Sequence, residues 1–361
     1  MHVLVTGGAG FIGSNFLQLS VPRYPERVFV NVDALTYAGN PNSLHGVAEA
    51  ANYRFERVDV ADAALVAGLF RKYDPELVIH FAAESHVDRS IHSAAEFVRS
   101  NVQGTLSLLD AARAHWGSLR GLFHHVSTDE VYGSLQLGGS TRFTEETPYD
   151  PSSPYSATKA ASDHLVRAYS RTHGLRVKLT NCSNNYGPRQ FPEKLVPLMI
   201  LNALERKPLP VYGRGLNVRD WLYVDDHCEA IWAVIDRGRL GETYNIGGDG
   251  ELMNLDVVRR LCQVVAEETS TNAEELLGLM KFVQDRPGHD LRYAIDASKV
   301  RRECGFAPRE TFETGLRKTV RWYLSNQAWV KQVQSGAYRE WIAANYAGRD
   351  AAVATVRGQH D

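Results

Sequence analysis

Along the first half of the chain, short runs of consecutive apolar, often β-branched residues alternate with longer stretches whose apolar residues recur every three or four positions. The runs Val3–Val5, Val28–Val32, Tyr53–Val58, Leu77–Phe81, Leu122–Val126 and Val177–Thr180 predict strands. Between them, Gly13–Leu19, Ala61–Tyr73, Ala94–His115 and Ser156–His173 carry helical spacing. Strands with so little polar alternation are buried on both faces, and strand–helix alternation joins parallel strands by right-handed crossovers. The expectation is an α/β fold, a doubly wound parallel sheet covered by helices on both sides.

After about residue 181 the rhythm breaks into Asn-, Gly- and Pro-rich loops such as Ser183–Pro192 and Lys207–Asn217. Leu195–Glu205, Val224–Arg237, Leu255–Glu267 and Thr311–Ser325 predict helices, and Thr243–Ile246 a strand returning toward the core. The expected division is a nucleotide-binding domain over 1–181, a smaller lobe over 182–347 whose chain crosses back to the core, and a flexible tail over 348–361. Composition changes this picture little. With 361 residues, 44% hydrophobic and 23% charged, the chain can bury a sizeable core. Forty basic against 42 acidic side chains leave a net charge of -2, which gives no global field for nucleic acid or an anionic membrane.

No apolar run reaches the ~18–20 residues of a membrane helix, and residues 1–20 lack the basic and apolar regions of a secretory signal. Cys182, Cys228, Cys262 and Cys304 stand dozens of residues apart, without metal-ligand spacing. A reducing cytoplasm and no metal are expected, although four cysteines do not by count alone exclude bridges.

Chemistry enters with Thr6-Gly7-Gly8-Ala9-Gly10-Phe11-Ile12-Gly13, which follows the first strand and opens a helix. Glycines there let backbone N–H groups approach a pyrophosphate, although the spacing is G-x-x-G-x-x-G rather than G-x-G-x-x-G. Asp33 ends the second strand 20 residues beyond Gly13, where a carboxylate accepts the hydroxyls of an adenosine ribose and repels a 2′-phosphate. A Rossmann-like site for NAD rather than NADP is the expectation. Asp59, near the end of the third strand, has two readings, an adenine contact or an ordinary turn residue.

Tyr155 and Lys159 stand at i,i+4 on one helical face, where a Lys favours the phenolate and draws the Tyr pKa down from about 10. Such a Tyr takes a proton from an alcohol. The fifth strand ends in Ser127-Thr128-Asp129-Glu130, at the carboxyl edge of the sheet where open α/β folds bind ligands. Tyr and Lys suffice for oxidation by NAD, whereas the added acid and base are what an elimination requires. Adjacent acids in a loop otherwise read as solvated charge.

On these motifs, together with Asp33–Asn40, Phe81–Ser90, Asn181–Pro188 and Asp285–His289, nearly the whole chain resembles the dTDP-glucose 4,6-dehydratase family of extended short-chain dehydrogenase/reductases. The Thr-Asp-Glu triplet discriminates most sharply, since related epimerases and decarboxylases generally lack the adjacent acids. The resemblance implies C4 oxidation of dTDP-glucose by bound NAD, C5/C6 elimination of water and hydride return to C6. Catalysis would fall to Thr128, Asp129, Glu130, Tyr155 and Lys159. NAD would meet Gly7, Gly10, Phe11, Ile12, Gly13, Asp33, Ala34, Leu35, Thr36, Asp59, Val60, Phe81, Ala82, Ala83, Ser85, Ser100, Tyr155, Lys159 and Asn185. The sugar would meet Ser85, Thr128 and Asn184. The nucleotide diphosphate would be held in the smaller lobe by Lys194, Leu195, Pro210, Val211, Tyr212, Arg219, Asn254, Asp285, Arg286, Pro287, Gly288 and His289. Arg219 beside Asp220 also reads as a surface ion pair.

The chain departs from the family at Arg189-Gln190 and in a shorter Gly133–Arg142 segment, both in loops. The family further implies a homodimer paired through Ala94–His115 and Ser156–His173. Two rival functions remain: a nucleotide-sugar 4-epimerase or decarboxylase with the same Tyr and Lys, and an NAD-binding regulator without turnover. Thymidine over uridine depends on pocket shape.

Overall fold

The computed structural model describes residues 1–118, 120–334 and 345. Strands β1 (His2–Thr6), β2 (Val28–Val32), β3 (Tyr53–Glu56), β4 (Leu77–His80), β5 (Leu122–Thr128) and β6 (Val177–Cys182) join Thr243–Ile246 in a seven-stranded sheet. Its order is β3-β2-β1-β4-β5-β6 and then Thr243–Ile246, and every pairing is parallel. The chain therefore winds both ways from β1 and β4, and a crevice opens at the carboxyl ends of these two strands. The strand β3 stops at Glu56, short of the expected Val58, because as an edge strand it has a neighbour on one side only. The strand β5 runs past Val126 to Thr128, because β6 still pairs with it there, Ser127 opposite Asn181 and Thr128 opposite Cys182.

Helices α1 (Phe11–Arg23) and α2 (Ala63–Tyr73) fall close to their expected places. The stretch Ala94–His115 is not one helix. It consists of α4 (Ala94–Phe97), a π-helical turn (Val98–Gln103) and α5 (Gly104–Trp116), with α3 (Val87–His92) ahead of it. The π turn swings Asn101 inward, where its side chain bonds both the N–H and the C=O of Glu84 at 2.8 and 3.0 Å. The Asn101 carbonyl takes the hydroxyls of Thr105 and Ser162 at 2.6 and 2.8 Å. An apolar repeat does not register one inserted residue, so the pattern alone reads as unbroken.

Helices α2, α5 and α6 (Pro154–His173) cover one face of the sheet, packing Leu69, Leu108, Leu109 and Val166 against Val30, Val78 and Phe123. On the other face α1 meets Val224–Arg237: Phe16 stacks on Trp232 at 5.3 Å, and the Trp232 indole N–H donates to Ser20 Oγ at 2.8 Å. Lys178 Nζ satisfies the last carbonyls of that second helix, Val234 at 3.0 Å and Ile235 at 2.6 Å. Residues beyond 181 also build a separate core around Met199, Ile200, Leu261, Leu316 and Tyr323. It lies with a three-stranded sheet (Glu251–Met253, Val218–Tyr223, Asn184–Tyr186) and the pair Leu209–Tyr212 with Met280–Val283. The expected tail over 348–361 lies outside the described residues. The four cysteines are buried and unbridged. Among the described residues no helix is long and apolar enough to cross a membrane.

Candidate active site

The turn after β1 presses against the chain leaving β4. Gly7 has φ 70, and a Cβ on it would stand 2.7 Å from the Ala82 amide nitrogen; one on Gly13 would stand 2.3 Å from the Gly7 carbonyl oxygen. Only glycine permits both approaches. Gly10 caps α1 without a side chain, which leaves the amides of the first turn, Phe11, Ile12 and Gly13, for an anionic ligand in the cleft they line. At the end of β2, Asp33 is fixed by the amides of Ala9 and Leu35 at 2.9 and 2.8 Å, one on each oxygen, so each keeps a lone pair for a ligand hydroxyl. The cleft has a volume of about 360 Å³ and is lined further by Ala34, Thr36, Asp59, Val60, Phe81, Ala82, Ala83, Ser85, Ser100 and Asn185. These residues fit a dinucleotide: amides for the phosphates, a carboxylate for a ribose, apolar walls between. Leu35 is not in the lining; its φ of 55 turns its amide toward Asp33. Asp59 lies beyond β3, bonded to the Ala61 amide at 2.9 Å and to Arg99 at 2.6 Å.

At the inner end of this cleft, α6 begins with a capping box. Ser153 and Ser156 exchange side-chain-to-backbone bonds at 3.0 and 3.1 Å, and Pro154 occupies the first turn. This fixes the turn that carries Tyr155, and both Tyr155 and Lys159 are buried in the cleft wall. Lys159 Nζ donates to the Val126 carbonyl at 2.9 Å. The expectation that Lys159 lowers the Tyr155 pKa is not met. Burial first, and the Glu130 carboxylate second, hold the phenol well above its ordinary value, against a hydrogen bond from Thr128. Burial also lowers Lys159, with Asp163 opposing.

Thr128 ends β5 and caps a 3-10 turn, Asp129–Tyr132, its Oγ accepting from the Glu130 amide at 3.3 Å. Asp129 is buried, with Oδ2 lacking a hydrogen-bond partner. Burial, then Glu130 and Asp220, push its carboxyl well above the usual range. Burial raises Glu130 as well, but Arg286, Lys194 and Arg219 pull it back. Both carboxyls are raised, Asp129 well above its ordinary range and Glu130 held back by three cations, so of the two Asp129 is the one favoured as the acid.

A second cavity of about 170 Å³ shares Glu130, Asn184, Glu193, Lys194 and Leu195 with the first, and adds Pro210, Val211, Tyr212, Arg219, Asn254, Arg286 and His289. Lys194 Nζ donates to the Ser85 carbonyl at 2.8 Å. Arg219 is buried over the Tyr293 ring at 4.1 Å and donates to the Asp290 carbonyl at 2.9 Å. The surface pair with Asp220 does not form, because successive residues of a strand point to opposite faces. Asp220 instead accepts from the amides of Gly248 and Gly250 at 2.9 and 2.7 Å. Asp285, Pro287 and Gly288 do not line the cavity; Asp285 holds the His289 ring at 2.5 Å. Of the departing pair, Arg189 turns to Asn15 of α1 at 2.9 Å, whereas Gln190 lines the first cleft.

Sequence reasoning missed Glu193. It is buried between the cavities, accepting from Tyr37 at 2.8 Å and from Arg89 at 3.2 Å, and so ties the loop after β2 to the smaller lobe. A Glu between Pro192 and Lys194 at a helix start looks like any first-turn acid.

The GDP-mannose 4,6 dehydratase family matches residues 4–319. A dTDP-glucose 4,6-dehydratase of Salmonella typhimurium is 54% identical over 362 residues, 97% of this chain and 100% of its own. One of Neisseria meningitidis serogroup B is 56% identical over 346 residues, 93% of this chain and 97% of its own. Among solved structures, the dTDP-glucose 4,6-dehydratase DesIV of Streptomyces venezuelae, with NAD bound, superposes with a TM-score of 0.84 at 46% identity, covering 92% of this chain and 100% of that one.

Proposed function

The chain belongs to the dTDP-glucose 4,6-dehydratase family, and from that premise we propose how its own side chains divide the work. It converts dTDP-glucose to dTDP-4-keto-6-deoxyglucose and water, with NAD as cofactor. NAD, which the Gly7–Gly13 turn and Asp33 would hold, would supply a reversible hydride acceptor between C4 and C6. Tyr155 removes the C4 hydroxyl proton, with Lys159 one turn away on the same helical face. Thr128 hydrogen-bonds the sugar near O4. The 4-ketone acidifies C5–H; Glu130 takes that proton while Asp129 protonates the departing C6 hydroxyl. Glu130 then returns the proton to C5. One cycle leaves Tyr155 protonated and Asp129 ionised, so a single proton passing between them resets the site. Lys194, Arg219 and Arg286 neutralise the diphosphate.

The observation that carries this reading is the split environment of Asp129 and Glu130 in the same cleft as Tyr155 and Lys159. A 4-epimerase or an NAD-binding regulator has no use for such a pair. The test is incubation with dTDP-glucose in deuterated water without added NAD. A 4-keto-6-deoxy product carrying one solvent deuteron at C5 is expected; unchanged dTDP-glucose after NAD is supplied overturns the reading. A homodimer is proposed with it, through the exposed Val98 and Leu106 on the π turn and α5. Leu106→Asp then yields monomer in sedimentation, with NAD binding retained.

A further inference from the structure

The pair Arg189-Gln190, where the sequence departs from the family pattern, has no part in the cycle above. It follows the strand Asn184–Tyr186, and Arg189 has φ 66, in the left-handed region that a residue with a Cβ seldom adopts. Such a conformation persists only where the surroundings fix it, and here they are the side chains of α1. Arg189 Nη1 donates to Asn15 Oδ1 at 2.9 Å, and Asn15 Nδ2 returns a bond to the Pro188 carbonyl at 2.9 Å. The same Nδ2 donates to the Phe11 carbonyl, also at 2.9 Å. Asn15 is buried, so one side-chain amide both receives the loop and braces the first turn of α1.

Gln190 carries the loop to a second stretch of the cleft wall. Its Nε2 donates to the Asn185 carbonyl at 2.9 Å, and its own carbonyl accepts from the Tyr323 hydroxyl. Asn185 is fixed in turn through its side chain, Nδ2 donating to the Ser183 carbonyl and Oδ1 bonded to His227 Nδ1, each at 2.9 Å. The Arg189 guanidinium lies over the ring of Trp322 at 5.6 Å, beside Tyr323 on the helix Phe312–Ser325. Phe11, Asn185 and Gln190 all line the first cleft. Two consecutive residues thus connect separate stretches of that wall, the start of α1 through Asn15 and Asn185 directly, and anchor both to the smaller lobe.

We infer that Arg189 is a positioning residue for the dinucleotide: through Asn15 it holds α1 to the loop that carries Gln190, and so it slows the release of NAD. This rests on the reading that NAD binds against the Gly7–Gly13 turn and Asn185. A ligand that meets both stretches leaves only when they part, and the Arg189–Asn15 bond resists that parting. The donor is a guanidinium, which makes the bond stronger than one between neutral groups. Its loss acts on the rate of departure, where most differences in affinity arise.

The experiment follows exchange of bound NAD for isotopically labelled NAD in the substrate-free holoenzyme, read by mass spectrometry of the cofactor that stays with the protein after desalting. Arg189→Ala exchanges about tenfold faster than the unmodified enzyme, the effect of one hydrogen bond from a charged donor. Arg189→Lys keeps a charged donor and exchanges more slowly than Arg189→Ala. Asn15→Ala is also faster than the unmodified enzyme, and adding Arg189→Ala to it changes nothing, because the acceptor is already gone. Unmoved exchange in Arg189→Ala, whatever its stability in urea, means a merely structural contact and overturns the inference. So does exchange in Arg189→Lys as fast as in Arg189→Ala, or an Arg189→Ala effect that persists in full beside Asn15→Ala. If Asn15→Ala does not fold, the comparison of Arg189→Ala with Arg189→Lys decides alone. Retention of NAD by the unmodified enzyme tests the premise separately, and its failure there overturns both.

Discussion

Asp129 and Glu130 are chemically near-identical neighbours, and the turn after β5 makes them different. Asp129 faces the interior beneath a second carboxylate, whereas Glu130 faces three cations. Elimination requires the first protonated and the second ionised. Its rate therefore falls on the alkaline side as pH passes through the raised pKa of Asp129, and on the acid side as Glu130 takes up a proton. Asp129→Asn removes the alkaline limb, a change seen in the pH dependence of product formation. Asp129→Asn and Glu130→Gln each slow elimination by about 10²–10⁴-fold. C4 oxidation, followed by reduced-cofactor absorbance in a single turnover, slows far less; equal slowing of both steps sinks the division of roles. The residue types and their spacing were legible in the sequence because helical periodicity and strand ends place side chains on a common edge. The pKa of Tyr155 was not, since periodicity says that Lys159 shares its face but not that Nζ is spent on the Val126 carbonyl. Glu193 was invisible because its partners, Tyr37 and Arg89, are distant in sequence.

At the scale of elements, signals that end or begin a helix read well, and signals that insert a residue do not. The Ser153–Ser156 capping box and the left-handed Gly174 bound α6 at both ends. The π turn before α5 left no mark, because its cause is tertiary: Asn101 reaches Glu84 and Thr158, and Gly104 lets the helix approach Val60, whose Cγ2 would lie 2.7 Å from an added Cβ. The short strands of the smaller lobe escaped for a related reason, since runs of three to six residues carry too little periodicity to separate them from loop. The cap of α6 connects stability to catalysis. Ser153→Ala costs about 1 kcal/mol in urea unfolding. It also lowers kcat, because the frayed turn carries Tyr155. Gly7→Ala acts differently: its Cβ collides with the Ala82 backbone and its φ of 70 is unfavourable, so NAD affinity measured by calorimetry falls while α6 is untouched.

Over the whole molecule, the chain beyond residue 181 is shared between two bodies of packing: Val224–Arg237 covers the seven-stranded sheet and Thr243–Ile246 completes it, while other segments line the second cavity with Glu130. A sheet so enclosed buries polar groups that an edge would solvate, and β5 carries two histidines into it. Burial holds His124 at about 3, far below the ~6.5 of an unfolded chain. Between these values the unfolded state binds a proton that the native state refuses, so the His124 contribution to stability is present above pH ~6.5 and is lost as pH falls. The buried acids Asp129, Asp163 and Asp220 have the opposite sign, because their raised pKa values make the native state the better proton acceptor as pH falls. The net slope of stability with pH therefore does not isolate the imidazole, but a substitution does. His124→Asn leaves the acids in place and removes one titrating group. Its cavity and altered bond to Thr180, 3.3 Å from the ring, lower stability by an amount independent of pH. The slope between pH 4 and 6 must also become less positive by about 1.4 kcal/mol per pH unit, the value of one proton. Urea unfolding across that range separates the two, the offset reporting packing and the slope reporting charge; a parallel pair of curves would mean that His124 does not titrate on unfolding.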